Sequence, residues 1–386
     1  MLKNDSIRRG AAAGLVTLTV LGTAAGVATA AEAATDAKVP VVYVIPFTGQ
    51  MGTDIHPSIY EEIVEDVNEV DPDIVVFRLD SADVDRNFHI QNDDRREQGL
   101  WQNIEVYRDL MLDIKNGLNV PEDKQIMWIE DAVGASTLLA MSWPTVYMTE
   151  GGRLWGFDAV QRFADGWSDP DVRAKMYAAW VGIATGFPQA GGHPIALSQA
   201  MIEPQHKLGV KFEGRDTIWS NDLQGTVWTI DGSDKGVAMF DSDSAENVML
   251  SQGTVEDLDD LMFLLGYREF ERAASGEELH ERYVEDWRRA YERCDEWRKD
   301  IRDRGGNSVA DLGAQRGLWE KILGSMRRYP AVEARLQREW GMSAFDVETQ
   351  IEQIKEAIRR ARQNDRNGGS RGGNRGRNGG GGLGGG

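Results

Sequence analysis

Between Val39 and Gly266, short runs of β-branched and aromatic residues alternate with segments of helical period, and this alternation constrains the chain more than any other feature. Val39 to Phe47 (VPVVYVIPF) reads as a strand; Gly49, Gly52 and Pro57 break it, and Ile59, Ile63 and Val67 then recur at helical spacing. Asp71-Pro72-Asp73 turns the chain into a second apolar run, Ile74 to Leu79. Apolar runs that do not alternate with polar residues are buried on both faces, so this unit predicts a parallel pair joined by a crossover. Ile104, Tyr107, Leu110, Met111 and Ile114 predict a second helix, and Ile126 to Ile129 a third strand. Ala132 to Met141 is helix-like, and Thr145 to Met148 reads as a fourth strand closed by Gly151-Gly152. Helical patterns over Arg173 to Gly186 and Pro194 to Ile202 precede strand-like runs at Val210 to Trp219, Thr226 to Ile230 and Val237 to Phe240. A helix from Val255 to Leu265 ends at Gly266. The class is α/β in layers.

Beyond Gly266 the pattern changes. Leu279, Tyr283, Trp287, Ala290, Cys294, Trp297 and Ile301 recur at spacings of 4, 4, 3, 4, 3 and 4, a stripe that marks a helix packed on other helices. Leu318, Ile322, Met326 and Ile351, Ile354, Ile358 continue it after Gly305-Gly306 and Pro330, which predicts a three-helix appendage. Asn364 to Gly386 is nearly all Gly, Asn and Arg, a composition that cannot bury enough apolar surface to offset its ordering entropy. At the other end, Lys3, Arg8 and Arg9 precede an uncharged Ala/Gly/Val/Leu stretch and small-residue sites at Ala28-Thr29-Ala30 and Ala31-Glu32-Ala33, the layout of a secretory signal peptide. The chain is therefore expected to divide into a signal peptide (1–33), an α/β body (34–274), a helical bundle (275–363) and a disordered tail (364–386), with an exported, periplasmic or extracellular mature protein.

Charge and cysteine content remove several function classes. The net charge is −20, so the acidic body is not a nucleic-acid binder. The basic tail names no partner by itself; in an exported protein its composition favours self-contact or an acidic envelope polymer over RNA. One cysteine, Cys294, allows neither an intrachain disulfide, a thiolate zinc cluster nor a CxxC redox pair. No GxGxxG follows a strand, and neither a Walker lysine loop nor HExxH is present. Asp231 to Gly236 begins like a calcium loop, but position twelve is Ser242, where such a loop carries Glu. No cofactor and no metal are implied.

Four segments in order carry a resemblance. They are VVYVIPFTGQMG (Val41 to Gly52), DIVVFRLDSAD (Asp73 to Asp83), IMWIEDAVGASTLLAMSWPTVYMTEGGRLWG (Ile126 to Gly156), and VRAKMYAAWVGIATGF with PIALSQAMI. In this order the body resembles the Clp protease/crotonase superfamily, and within it the NfeD-type and signal peptide peptidase A-type serine proteases. The resemblance implies a Clp protease/crotonase-like spiral fold followed by the helical appendage. It also implies self-association, since family members bury apolar surface between protomers, and a peptide or protein partner.

Acyl transfer on such a fold needs a Ser at a strand-to-helix turn, a base and backbone N–H groups for the oxyanion. His89 and His193 flank the nucleophile segment with no His between them, so a His base is poorly supported. By resemblance the base is Lys175, in the helix before Tyr177-Ala178-Ala179. Matching Tyr147-Met148 to the family's Tyr-Met strand and counting back without a gap places Gly134 at the nucleophile position. Ser136 lies two residues on, a rotation of about 200° on a helix. Where the family has Pro-Gly-Gly at the oxyanion turn, this chain has Ala82 and Asp83. These departures imply a degenerate serine-protease homologue, a pseudoenzyme acting as a binding or assembly subunit. The alternative is an active Ser/Lys peptidase with Ser136 as nucleophile and Lys175 as general base.

Overall fold

A computed structural model describes residues 38–82, 104–158 and 160–369 of the chain. The signal peptide, Asp83 and His89 lie outside the described residues, as does the tail beyond residue 369. Strand β1 (Val41–Thr48) leads through a Gly-containing turn to helix α1 (Pro57–Val70), then β2 (Ile74–Ala82), α2 (Ile104–Gly117) and β3 (Gln125–Val133). Helix α3 (Ser136–Ala140), β4 (Val146–Trp155), α4 (Val160–Asp165), α5 (Pro170–Ala190) and α6 (Ile195–Ile202) follow. Three short strands, β5 (Leu208–Glu213), β6 (Asp216–Ser220) and β7 (Trp228–Asp231), form a separate antiparallel sheet in the order β6-β5-β7. The body closes with β8 (Met239–Asp241), α7 (Ser242–Asn247), α8 (Leu258–Leu264) and β9 (Glu271–Ala273).

The main sheet has the order β8-β4-β3-β2-β1-β9. Strands β4, β3, β2, β1 and β9 are mutually parallel, and β8 pairs antiparallel with β4. The α/β class follows from the unbroken apolar runs, because alternate residues of each strand are buried on opposite faces. On one face Ile45, Phe47, Phe77, Leu79, Met127 and Ile129 pack with Ile63 of α1, Ile114 of α2, Leu139 of α3 and Phe187 of α5. On the other, Val42, Val44, Val76, Ile126, Trp128 and Tyr147 pack beneath Leu258, Leu261 and Met262 of α8.

Several boundaries differ from the sequence expectation. The third strand runs on to Val133, so the helix expected from Ala132 starts at Ser136. Gly151-Gly152 does not close β4. Register shifts between Ile129 and Asp131, after which Arg153, Leu154 and Trp155 pair with Asp131, Ala132 and Val133. The glycines thus sit in a bulge, and burial of Leu154 carries the strand past it. Val210 to Trp219 is two strands, because Glu213 pairs with Asp216 across a two-residue turn at Gly214-Arg215.

The C-terminal region holds four helices where three were expected: α9 (Ser275–Asp303), α10 (Val309–Arg328), α11 (Pro330–Trp340) and α12 (Ala344–Gly369). Pro330 does not merely break the pattern; it takes the first position of α11, where its missing N–H costs nothing and its fixed φ suits a helix. The tail was expected from residue 364, yet α12 continues to Gly369. Trp287, Cys294, Ile322, Met326, Leu336, Ile351 and Ile354 form the core of this region, and α9 also reaches the body. Its Gly276 lies so close to β1 that an added Cβ would stand 2.5 Å from the Tyr43 ring and 2.7 Å from the Val44 carbonyl oxygen. Among the described residues no helix is long and apolar enough to cross a membrane.

Candidate functional site

The strand-to-helix turn after β3 lies at the carboxyl end of a parallel strand, the end at which open α/β sheets place their ligands. Its first residue, Gly134, is buried and has φ +87°, a left-handed conformation that favours glycine. Ala135 follows, and α3 starts at Ser136 with bonds from the Thr137 and Leu138 N–H groups to the carbonyls of Gly134 and Ala135. Ala82 pairs with Val133 in the β2–β3 ladder. The fold thus brings Ala82, Gly134 and Ser136 to one place, while Asp83 falls outside the described residues.

The Ser136 hydroxyl is turned inward. Its side chain is fully buried, and Oγ donates to the Ser81 carbonyl oxygen at 2.5 Å, with the Val133 carbonyl at 3.2 Å. A carbonyl oxygen accepts a hydrogen bond but cannot take the proton away, so neither contact activates a nucleophile. The neighbouring hydroxyls are used in the same way. Thr137 donates to the Ala132 and Trp155 carbonyls and Ser142 to that of Leu138.

No hydrogen bond joins Lys175 to Ser136 among the described residues. Lys175 lies on the exposed side of α5, whose buried stretch is Ala184, Thr185, Phe187 and Pro188. Nine residues of helix separate Lys175 from Ala184, about 13 Å along the axis. Ser136 is thus buried beneath the turn, while Lys175 is exposed on α5. Lys115 comes closer to this part of the fold, but its Nζ is committed to the carbonyls of Ser142 and Ala190 and to Glu122. His193 is held by the Trp143 carbonyl, and burial lowers its pKa from the ordinary value.

One pair escaped the sequence reading. Arg153 Nε donates to Asp131 Oδ1 at 2.8 Å and its Nη2 lies 2.5 Å from Oδ2, with both side chains buried. The guanidinium also lies 4.9 Å from the Trp155 ring centre, and Nη1 has no partner. This pair stands directly before the Ala132–Leu154 and Val133–Trp155 rungs that lead into the Gly134 turn. Two consecutive acids, Glu130-Asp131, inside an otherwise apolar strand were the signal available in the sequence. Among the described residues no group of three or more His, Cys, Asp or Glu side chains is placed to hold a metal ion.

No family model matches the chain, and no curated protein matches it. Three solved structures are similar to it at low identity. A lysine-to-alanine mutant of 1510-N, a membrane-bound stomatin-specific protease in complex with a substrate peptide, is 11% identical with a TM-score of 0.35, covering 58% of this chain and 80% of that one. A serine-to-alanine mutant of the 1510-N protease is 14% identical with a TM-score of 0.33, over 58% and 84% of the two chains. The 1510-N membrane protease specific for a stomatin homolog from Pyrococcus horikoshii is 11% identical with a TM-score of 0.33, over 58% and 78%.

Proposed function

We propose that this chain is an exported serine-protease homologue whose α/β body has lost acyl-transfer chemistry and acts as a non-catalytic subunit for binding or assembly. The observation that carries the reading is the inward hydroxyl of Ser136, fully buried and bonded to two backbone carbonyls while a positive-φ glycine fills the turn position in front of it. A peptidase needs a nucleophile in reach of its base and of oxyanion donors at about 3 Å. The alternative, a Ser136/Lys175 peptidase, would require α3 and its turn to be rebuilt.

Assembly is supported by apolar surface. On and beside the small antiparallel sheet, Val227, Trp228, Ile218 and Phe212 are exposed, Val227 by 73%. Of these, Phe212 and Trp228 share one face of the sheet, with Val227 beside them; exposed apolar side chains grouped in this way mark protein contacts, and a second copy of the chain is the partner we infer for them. Export rests on the leader at residues 1–33. The test of the central reading is a fluorophosphonate probe on the purified full chain. No covalent labelling is expected; labelling at Ser136 that disappears in Ser136→Ala overturns the reading and restores the peptidase.

A further inference from the structure

The crook between α4 and the start of α5, closed by the segment after α6, holds a cleft of about 390 Å³, a size in the range of small-ligand sites, about 300–1,000 Å³. Pro170, Arg173, Ala174 and Tyr177 recur at the spacing that puts them on one face of α5. Across from them stand Ala164 and Asp165 of α4, and Gln205. The helix end itself is already capped, because the Asp169 side chain accepts the N–H groups of Asp171 and Val172. The cleft shares no lining residue with the Gly134 turn, so it does not depend on whether that turn is catalytic.

Its polar groups are held from behind. Glu203, only 8% exposed, accepts from the Tyr177 hydroxyl at 3.1 Å and from Gln205 Nε2 at 2.8 Å, with His206 at 3.4 Å from its other oxygen. An ionised carboxylate only accepts, so the Gln205 amide turns its NH2 group to Glu203 and leaves Oε1 as a fixed acceptor on the other side. Arg173 Nε donates to the Trp167 carbonyl at 3.1 Å, which stations the guanidinium at the turn between the two helices and leaves both Nη groups unused. Among the described residues the Asp165 carboxylate is in no hydrogen bond or ion pair. The cleft thus offers one unpaired cation, one unpaired anion and an oriented acceptor beside the apolar surfaces of Ala164, Pro170 and Ala174.

We propose that this cleft binds a free α-amino acid with an apolar side chain. The ligand carboxylate takes the two Nη groups of Arg173 as a fork. Its ammonium group donates to the Asp165 carboxylate and to Gln205 Oε1, and its side chain lies along Ala164, Pro170 and Ala174. Charge decides the class. A simple anion would leave Asp165 unpaired and be repelled by it, and a simple cation would meet the same fault at Arg173, whereas a zwitterion answers both. Spacing decides between an amino acid and a peptide. The Arg173 guanidinium is tethered to the Trp167 carbonyl, and Asp165 stands two residues earlier in a tight turn closed by the Trp167 N–H on the Ala164 carbonyl at 3.1 Å. Charges so placed suit groups on one α-carbon; the ends of a dipeptide stand a further residue apart, about 3.3–3.6 Å. Both charged side chains are exposed, so the affinity is modest.

The test uses the full chain and free leucine, read by saturation-transfer difference NMR. Leucine is expected to give a signal that saturates in the millimolar range and is strongest on its methyl protons, which face the apolar wall. Leucinamide, which lacks the carboxylate, and isocaproate, which lacks the ammonium group, are each expected to bind at least tenfold more weakly, and the dipeptide alanyl-leucine more weakly than leucine. Arg173→Gln and Asp165→Asn, both at exposed positions, are each expected to weaken leucine binding at least tenfold, with folding checked by circular dichroism. If either variant fails to fold, the two leucine analogues on the unaltered chain still decide. Absence of a saturable leucine signal, unchanged affinity in a folded Arg173→Gln or Asp165→Asn chain, or an analogue or dipeptide that binds as tightly as leucine overturns the proposal.

Discussion

Asp54 and Arg288, 234 residues apart, meet at 3.1 Å where the turn after β1 touches α9. The carboxylate is 4% exposed and also accepts from the Gln50 N–H at 2.9 Å and the Trp287 indole N–H at 3.2 Å. His280 reaches the Asp54 carbonyl and Tyr283 that of Thr53. The turn between β1 and α1 is thus held by one face of a helix that begins after residue 274. A bonded path runs from it to the candidate site, because Ser81 Oγ donates to the Gly49 carbonyl and Ser136 Oγ to that of Ser81.

This arrangement predicts unequal costs for its two charged members. Asp54→Ala strands the Gln50 N–H and the buried Trp287 indole N–H and is expected to cost about 2–4 kcal/mol. Arg288 is more than half exposed, so Arg288→Ala is expected to cost about 1 kcal/mol or less. Urea denaturation of the full-length variants measures both. Equal losses would mean that the ion pair itself, and not the buried carboxylate's N–H contacts, holds the turn.

The hydroxyl of Ser136 is predicted to be structural. Ser136→Ala is expected to lower stability by about 1 kcal/mol through the lost bond to the Ser81 carbonyl, with no change in reactivity. Gly134→Ser places a side chain at φ +87° and is expected to cost about 1–3 kcal/mol without gaining probe labelling. Melting curves and mass-spectrometric labelling check the pair together. A labelled, fully stable Gly134→Ser protein would show that the turn is poised for a nucleophile.

Acid sensitivity follows from three histidines. Burial lowers the imidazole pKa of His56 to about 4 and also lowers those of His193 and His280 below the ordinary 6.5. His56 Nδ1 accepts the Ser58 N–H at the start of α1, which only a neutral ring can do. With folded values below unfolded ones, the unfolded chain binds more protons as pH falls. The stabilisation is whole above about 6.5 and is lost progressively towards the folded values. Thermal melts are expected to be flat from pH 8 to 7 and to fall from pH 6.5 to 5, with a shallower slope for His280→Gln. An unchanged slope in that variant would assign the acid response to the other two histidines.

Self-association is predicted to run through the small sheet. Light scattering of the full chain at micromolar concentration is expected to give more than one protomer, and Val227→Asp with Trp228→Asp to give a monomer, because burying charges without partners is costly. A wild-type monomer would count against assembly; an oligomer indifferent to both changes would move the contact elsewhere.

Strands β1 to β4 were legible because burial on both faces leaves long apolar runs, as in Val41 to Phe47 and Ile126 to Ile129, whereas the short, largely exposed edge strand β9 carries no such run and was not read. The place of Gly134 ahead of α3 came only from the resemblance, since the apolar pattern by itself ran a helix from Ala132 through it. What could not be read was register: a bulge of four residues opposite one, between Met148 and Arg153, leaves no mark in a hydrophobic pattern. Long-range partners were equally hidden. Nothing in the spacing says that Arg288 answers Asp54, or that the Ser136 side chain turns inward while Lys175 turns outward; those facts depend on how whole elements pack.

The pairing of β1 with β9 sets an order in time. Val41, Val42 and Tyr43 find their last neighbours in Glu271, Arg272 and Ala273, and Gly276 then lays α9 against the same strand. Among the described strands β1 is made first, and it therefore keeps an open edge until β9 and the following helix have been made. An unfinished chain ending before residue 271 offers that edge to any other extended segment. A protein translated slowly or cut short is then a template for mispairing, and the helices at the far end act as the closing step of a sheet begun more than two hundred residues earlier.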